Sequence, residues 1–173
     1  MEERLRGMER KLEIKEREER RKNIVIKGLE VKEEKRREAV EELMKRMGVE
    51  VEIREVKKMR EEREKGEETV LVRLGKEEQR KEIMKSKKKL KGRKERVMED
   101  LTWRERKMRW NLEEIARKEG RKGKKVWIGY GRIQIEEQWW KWDEEEEVLR
   151  DGKGRMRVVD QGEGKRGGER GIE

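Results

Sequence analysis

The chain contains no cysteine, histidine, proline or phenylalanine, and Ser86 is its single serine. Without Cys and His, disulfides, thiolate or imidazole metal sites, cysteine nucleophiles and imidazole general bases are excluded. No carboxylate lies in an apolar stretch that would raise its pKa into a catalytic range, and no Gly-flanked basic run has the spacing of a phosphate-binding loop. The sequence therefore predicts a protein that is not an enzyme and that uses neither a metal nor a cofactor.

Large aliphatic residues are also scarce. Leu, Ile and Val number 10, 10 and 13 among 173 residues, whereas 55% of the chain is Asp, Glu, Lys or Arg. This charged fraction is about twice the usual one, and the aliphatic share is typical of chains near the border of disorder. No apolar run approaches the roughly 18 residues of a membrane span. We therefore expect small cores and no membrane partner.

Basic side chains outnumber acidic ones by 53 to 43, and the net charge of +10 favours polyanionic partners such as nucleic acid. A purine-biased gene would give the same composition, because Lys, Arg, Glu and Gly all have codons made only of purines. The distribution of charge is more informative. Residues 76–98 carry +7 and residues 99–132 carry +5, whereas residues 133–151 carry −6. The positive cluster predicts a surface that faces phosphates.

Residues 1–22 are predicted to form a helix that is the end of a coiled coil. Acidic and basic side chains alternate at helical distances, and Leu5, Met8 and Leu12 have the a, d, a spacing. The stripe fails at Lys15 and Glu19, and two heptads are too few for a stable coiled coil. Two interpretations remain open: the stump of a longer coiled coil, or a solvated helix.

Residues 23–99 have the pattern of an α+β unit, so the fold class predicted for the chain is α+β. The predicted strands are residues 23–29, 49–53, 69–74 and 95–98, and the predicted helices are residues 33–47 and 76–90, with a charged loop over residues 60–65. Alternating or β-branched apolar residues indicate the strands, and Gly48 marks the end of the first helix. The resulting βαββαβ order predicts two helices on one face of an antiparallel sheet, with the other face bare.

The first strand, NIVIKGL, fits the hydrophobic frame of the first signature strand of RNA-recognition motifs. The stacking rings of that motif are missing, because Val25, Thr69 and Leu71 stand where aromatic residues belong. Ordinary base stacking on this sheet is therefore not available. The sheet either binds a protein or recognises a nucleic-acid backbone through Lys and Arg, and the basic flank favours the second interpretation.

Residues 100–147 are predicted to form a second small unit. Thr102 and Glu105 have the spacing of a capping box that opens a helix extending to Glu119, with Gly120 as its stop. On a face of that helix away from its aliphatic stripe lie Trp103, Arg106, Trp110 and Arg117. Either the two Trp rings pack on a strand, the commoner case, or the Trp and Arg side chains face nucleotides.

Strands follow the helix, in the run KVWIGYGRIQIEEQWWKW that begins at Lys125. Tyr130 lies between two glycines, a pattern that suits either a kinked strand or a stacked base. All six Trp lie between residues 103 and 142, and we expect them to form the core of this unit. Residues 148–173 are charged and rich in Gly, and are predicted to be a disordered tail.

These features together resemble the first open reading frame protein of LINE-type (non-LTR) retrotransposons, in its insect form. The resemblance covers residues 20–142 and rests on a basic coiled-coil end, the run RRKNIVIKGL, an RNA-recognition-like unit without aromatics, and a helix capped by the DLT tripeptide that leads to a Tyr-containing hairpin. It implies a trimeric coiled coil, an RNA-recognition motif and a C-terminal α/β domain. It also implies single-stranded RNA and DNA binding with chaperone-like annealing.

The resemblance also implies particular nucleic-acid contacts. Arg20, Arg21 and Lys22 match the basic residues before the first strand, and Lys87, Lys88, Lys89 and Arg93 match the basic end of the second helix. Arg106 or Arg109 matches the helix arginine, and Tyr130 matches the hairpin aromatic. The predicted set is completed by Lys27 and Arg73, on outward strand faces, and by Arg132, beside Tyr130.

The function predicted from the sequence is sequence-tolerant binding of single-stranded RNA or DNA in a retrotransposon ribonucleoprotein. Stacking would come from Tyr130, and from Trp127 or Trp110, in a cleft between the two units. We expect cytoplasmic ribonucleoprotein particles, with the nucleus as a second location, and self-association through the N-terminal helix. The alternative is a protein-interaction module with no nucleic-acid role, such as a truncated retroelement remnant.

Overall fold

The computed structural model describes residues 1–61 and 66–157, and it divides the chain into two compact units, Met1–Asp100 and Leu101–Glu173. Both units are α+β, and each contains one antiparallel sheet. Within the described residues, no helix combines the length and hydrophobicity needed to cross a membrane.

Unit 1 consists of an N-terminal helix followed by the βαββαβ order expected from the sequence. Its elements are α1 (Glu2–Arg20), β1 (Asn23–Glu30), α2 (Arg36–Met47), β2 (Ile53–Glu61), β3 (Glu67–Leu74), α3 (Glu77–Ser86), a 3-10 turn (Lys87–Leu90) and β4 (Arg96–Glu99). Helix α2 ends at Gly48, whose φ of 72° is left-handed, as a glycine C-cap predicts.

The unit 1 sheet has the strand order β2-β3-β1-β4, and all its pairings are antiparallel. Alternate residues of β1, β3 and β4 point to the helices and form the core with the apolar stripes of α2 and α3. Ile24, Ile26, Val70, Val72 and Val97 have 1% or less of their surface exposed. The residues between them, such as Val25 and Leu71, lie on the opposite face of the sheet.

Strand β2 does not lie where the sequence analysis put it. Residues 49–52 are outside any strand, and β2 instead runs through the charged segment Ile53–Glu61. The expected alternation marks residues that pack beside α2, since Val49 and Val51 are half-buried against the core. The charged segment forms the strand because its backbone pairs with β3. In the middle of the strand, Val56 is the residue that packs towards the core. Residues 60 and 61 of the predicted loop belong to β2, and residues 62–65 are outside the described residues.

Unit 2 consists of one helix and an antiparallel meander with the order β5-β6-β7-β8-β9. Its elements are α4 (Trp103–Arg121), β5 (Val126–Gly129), β6 (Arg132–Ile135), β7 (Gln138–Asp143), β8 (Val148–Arg150) and β9 (Met156–Arg157). The predicted capping box is present at the start of α4, and the helix ends at Arg121, one residue after the predicted stop at Gly120. Met108, Leu112 and Ile115 of the helix pack against Ile133, Ile135 and other residues of one sheet face.

The prediction of a disordered tail from residue 148 is wrong for residues 148–157, which contain β8 and β9. Leu149 is fully buried in the core of unit 2. The acidic run before it is a turn, in which the Asp143 carboxylate accepts hydrogen bonds from the amides of Glu145 and Glu146. That turn returns the chain to pair with β7. Residues 158–173, the rest of the predicted tail, are outside the described residues.

Candidate nucleic-acid interface

Five cations lie on the face of the unit 1 sheet opposite to its helices, and we call this set the basic sheet face: Lys27, Lys57, Arg60, Arg73 and Arg96. Strand register brings them together. Lys27 is opposite Arg96, while Lys57 is opposite Leu71 and Arg60 is opposite Thr69. Arg73 is opposite Asn23 on one side and Glu55 on the other. Within the described residues none of the five cations forms an ion pair, so their charge is available to a polyanion.

The cations of the helical side differ, because most of them are neutralised. Five of the seven Lys and Arg residues on α2 and α3 form ion pairs. The best-formed pair is Arg36 with Glu68, in which two guanidinium nitrogens donate to the two carboxylate oxygens at 2.7 and 2.9 Å. The hydrogen bonding of Arg36 to Glu68 and the negative charge of Glu68 raise the pKa of Arg36, although burial opposes them. Positive charge without a counterion is thus denser on the basic sheet face than on these helices.

The centre of this sheet face is apolar and has little exposed surface. Val25 and Thr69 are only 8% and 3% exposed, and Leu71 and Met98 are half-buried. Thr69 and Leu71 are the residues that stand where an RNA-recognition motif has stacking aromatic rings. The face therefore presents cations around a closed aliphatic centre rather than an open platform for bases.

The three basic residues before β1 have different environments. Arg20 donates to Glu16 at 2.6 Å and to Asp100 at 3.4 Å, and its charge is therefore compensated. Arg21 and Lys22 are exposed. The Lys22 carbonyl accepts a hydrogen bond from the Leu74 amide at 2.8 Å, which places this basic segment next to Arg73. Lys22 and Arg73, which were predicted separately, therefore lie close together at one end of the basic sheet face.

The basic loop after α3 lies beside the end of α2 rather than on the sheet face. Lys87 and Lys88 are exposed, but the Lys89 ammonium donates to the Met47 carbonyl at 3.0 Å and so caps α2. Arg93 is paired with Glu95 through two hydrogen bonds of 3.1 and 2.9 Å, and this hydrogen bonding raises the Arg93 pKa. Of the predicted residues in this loop, Lys87 and Lys88 are the ones with accessible charge.

In unit 2, the predicted residues lie on α4 and on the β5–β6 hairpin. Arg106 and Arg109 are both exposed on α4. The Tyr130 hydroxyl donates to the buried Glu105 carboxylate, whereas the Tyr130 ring is 58% exposed. The Arg132 guanidinium lies over the Trp139 ring, 4.7 Å from its centroid. Tyr130 therefore has a structural bond at its polar end and an accessible ring.

The expectation that the six Trp form the core of unit 2 is wrong for three of them. Trp103, Trp127 and Trp139 are 48%, 53% and 39% exposed, while Trp110 and Trp140 are half-buried and Trp142 is buried. The core instead contains aliphatic residues of α4, β6 and β8 beside Trp142. The sequence left open whether Trp103 and Trp110 are packed or exposed. The two rings differ, because Trp110 is partly packed and Trp103 faces solvent.

Sequence reasoning missed Lys57, Arg60 and Arg96 on the basic sheet face, and also Trp139 and Lys141 in unit 2. Arg96 could have been found, because it directly precedes the core residue Val97 and so has to point outward. Lys57 and Arg60 were missed because β2 was placed too early. Trp139 was missed because its orientation depends on the register of β7 with β6, which sequence alone does not determine.

Metal sites and comparisons with known proteins complete the description of the site. Within residues 1–61 and 66–157, no cluster of three His, Cys, Asp or Glu side chains could hold a metal ion. No protein-family model matches the chain, and no curated protein matches it.

Proposed function

We propose that the protein binds single-stranded RNA or DNA with little sequence preference, as a component of a ribonucleoprotein of the LINE-retrotransposon kind. The basic sheet face is the observation that carries this proposal. Five cations without carboxylate partners in the described residues are held by a rigid sheet, beside the exposed Arg21 and Lys22. Such groups attract phosphates and release counterions, and they read no base edges.

The fold of unit 1 supports the same proposal. Its strand order, β2-β3-β1-β4, with two helices on one face, is the arrangement that we propose to be RNA-recognition-like. The sheet of such a unit is its nucleic-acid surface. Because Val25 and Leu71 supply no ring, unit 1 binds through charge rather than through stacking, and its affinity is tolerant of sequence.

The test is a titration of fluorescent single-stranded RNA at several salt concentrations, followed by anisotropy. We expect log K to fall linearly with log salt, by about 0.7 for each phosphate contacted. The triple variant Lys57→Gln, Arg73→Gln, Arg96→Gln should bind more weakly, and its salt slope should be smaller by about 2, since three contacts are lost.

A matched control removes the same charge elsewhere. Lys35, Arg46 and Lys81 are exposed on the helical side and form ion pairs with Glu33, Glu42 and Glu77. Replacing these three by Gln should change the slope much less than the sheet-face variant does. A flat salt response, no binding at low salt, or equal effects of the two triple variants would contradict the proposal.

A second candidate is a protein-interaction module, and the exposed stripe of α1 favours it. Leu5, Met8 and Leu12 are 58%, 53% and 66% exposed, and within the described residues α1 has no buried side chain. This candidate requires that the chain assembles whether or not RNA is present.

A further inference from the structure

The outer face of the unit 2 sheet, which points away from α4, carries an exposed group of aromatic and basic side chains. The register aligns Trp127, Gln134 and Trp139 in one row across β5, β6 and β7. The adjacent row contains Gly129, Arg132 and Lys141. The residues that alternate with these along β6, Ile133 and Ile135, point to the other face of the sheet and are buried in the core with α4. We call Trp127, Trp139, Arg132 and Lys141 the aromatic patch.

The two indoles of the aromatic patch are held in a defined arrangement. Their centroids are 5.2 Å apart with an angle of 80° between the planes, the edge-to-face geometry that aromatic pairs favour. Arg132 stacks 4.7 Å from the Trp139 centroid. The rings nevertheless keep 53% and 39% of their surface exposed, so they are fixed in position without being buried.

Gly129 provides the space for this arrangement. A Cβ atom at residue 129 would lie 2.9 Å from the Trp127 ring and 3.0 Å from the Arg132 Nε. The backbone of Gly129 does not have a positive φ, so the absence of a side chain serves to admit the ring and the guanidinium, which would have to shift to make room for a Cβ atom. The arrangement of the patch therefore depends on the pairing of β5, β6 and β7 and on the space beside Gly129.

The charge next to the rings indicates the kind of ligand. Within the described part of the chain, Arg132 and Lys141 form no ion pair, and they lie side by side in the register. Glu136 and Glu137 form the turn between β6 and β7, and this turn lies on the side of the Trp row away from Arg132 and Lys141. A ligand that matches the patch has a flat ring for the indoles and a negative group towards Arg132 and Lys141.

We propose that the aromatic patch is a stacking platform for unpaired nucleobases, with Arg132 and Lys141 contacting the adjoining phosphate. This proposal rests on the proposed function and deepens it, because stacking selects single strands over duplexes. Bases in a duplex are already stacked on each other, whereas those of a single strand offer free ring faces. Unit 2 thereby supplies the aromatic contact that the unit 1 sheet lacks.

The experiment compares two labelled strands of equal length, an oligothymidylate and an abasic strand with the same phosphates. The full chain should bind oligothymidylate more tightly. Trp127→Leu and Trp139→Leu should each weaken this binding by about 5- to 150-fold, the effect measured for lost base–aromatic stacking. Their affinity for the abasic strand and their salt slope should stay as in the native chain, because no charge is removed.

The matched control is Trp103→Leu, which removes an equally exposed indole from α4. It should leave the affinity for oligothymidylate unchanged, and an equal loss in this control would overturn the assignment to the sheet face. Equal binding of the two strands by the native chain would overturn the platform too, and that comparison needs no variant to fold. Both results leave the proposed function standing, whereas failure of the native chain to bind either strand at low salt defeats the proposed function itself.

Discussion

At the scale of single residues, the carboxylate of Glu119 links α4 to β9 within unit 2. It is 6% exposed near the end of α4, and three cations surround it: Lys122 at 3.8 Å and Lys124 at 3.1 Å, both just after the helix, and Arg157 of β9. Burial alone would raise the Glu119 pKa, but the ammonium of Lys124 and the charges of Arg157 and Lys122 outweigh it, so the pKa lies below its ordinary value.

We expect Glu119→Gln to lower the free energy of unfolding of unit 2 by about 1–3 kcal/mol at pH 7, because three cations lose their partner. Urea titration followed by Trp fluorescence measures this unit selectively, since all six Trp lie between residues 103 and 142. Glu113→Gln, at an exposed position of the same helix, is the matched control and should change the free energy by less than about 0.5 kcal/mol.

The effect of Glu119→Gln should depend on pH in a direction that the lowered pKa determines. A carboxyl group with a lowered folded pKa contributes its stability above the unfolded pKa, which is about 4.3 for Glu. That contribution disappears as the pH falls through the folded pKa. The difference between the native chain and the variant should therefore shrink as the pH falls below about 4.3, and a difference at pH 3 as large as that at pH 7 would contradict the ionic explanation.

Single residues also show what a sequence does and does not determine. Lys27 and Arg73 could be predicted to face outward because strand alternation is local. Whether each Trp is buried or exposed could not be predicted, because Trp127 and Trp139 come into contact only through the pairing of β5, β6 and β7. Composition suggested that large rings form the core, whereas the smaller aliphatic residues of α4 and β6 already fill it.

At the scale of elements, the start of α4 is fixed by a reciprocal pair of hydrogen bonds between a side chain and a backbone amide. The Glu105 amide donates to the Thr102 Oγ1 at 3.1 Å, and the Thr102 amide donates to the Glu105 Oε1 at 3.0 Å. The other oxygen of the same carboxylate accepts from the Tyr130 hydroxyl. One carboxylate thus joins the first turn of the helix to the β5–β6 hairpin.

We expect Thr102→Ala to destabilise unit 2 by about 1 kcal/mol, within a range of about 0.5–2 kcal/mol, because an amide of the first turn loses its acceptor. Thr102→Ser retains the oxygen and should keep most of the stability. Urea unfolding followed by Trp fluorescence compares the three chains. Equal losses in the Ala and Ser variants would assign the effect to the buried methyl group instead of the cap.

The capping box was predictable because its partners are three residues apart, and the same holds for the Gly48 end of α2. Strand β2 was not predictable, because its segment of charged residues shows no apolar alternation and becomes a strand only through pairing with β3. Strands β8 and β9 were missed for a related reason. They are short, and β8 is brought into register by a turn that the Asp143 carboxylate stabilises.

At the scale of the whole molecule, the stripe on α1 bears on how several chains would share one strand of RNA. In this chain the stripe spans only Leu5, Met8 and Leu12, which is too short to hold a coiled coil together in dilute solution. Binding of neighbouring chains to one RNA raises the effective concentration of α1, so that a weak contact becomes significant. Assembly would then depend on RNA, in contrast to a dedicated protein-interaction module.

We therefore expect the free protein to sediment as a monomer of 21.2 kDa and to assemble when long single-stranded RNA is added. The affinity per chain for a long strand should exceed that for a strand occupied by one chain by about tenfold or more. Leu12→Glu should remove this advantage, since a charge in the stripe opposes pairing, and should leave binding to the short strand intact. Glu9→Gln, at an exposed position outside the stripe, is the control. Assembly of the free protein that RNA does not change would instead support the interaction module.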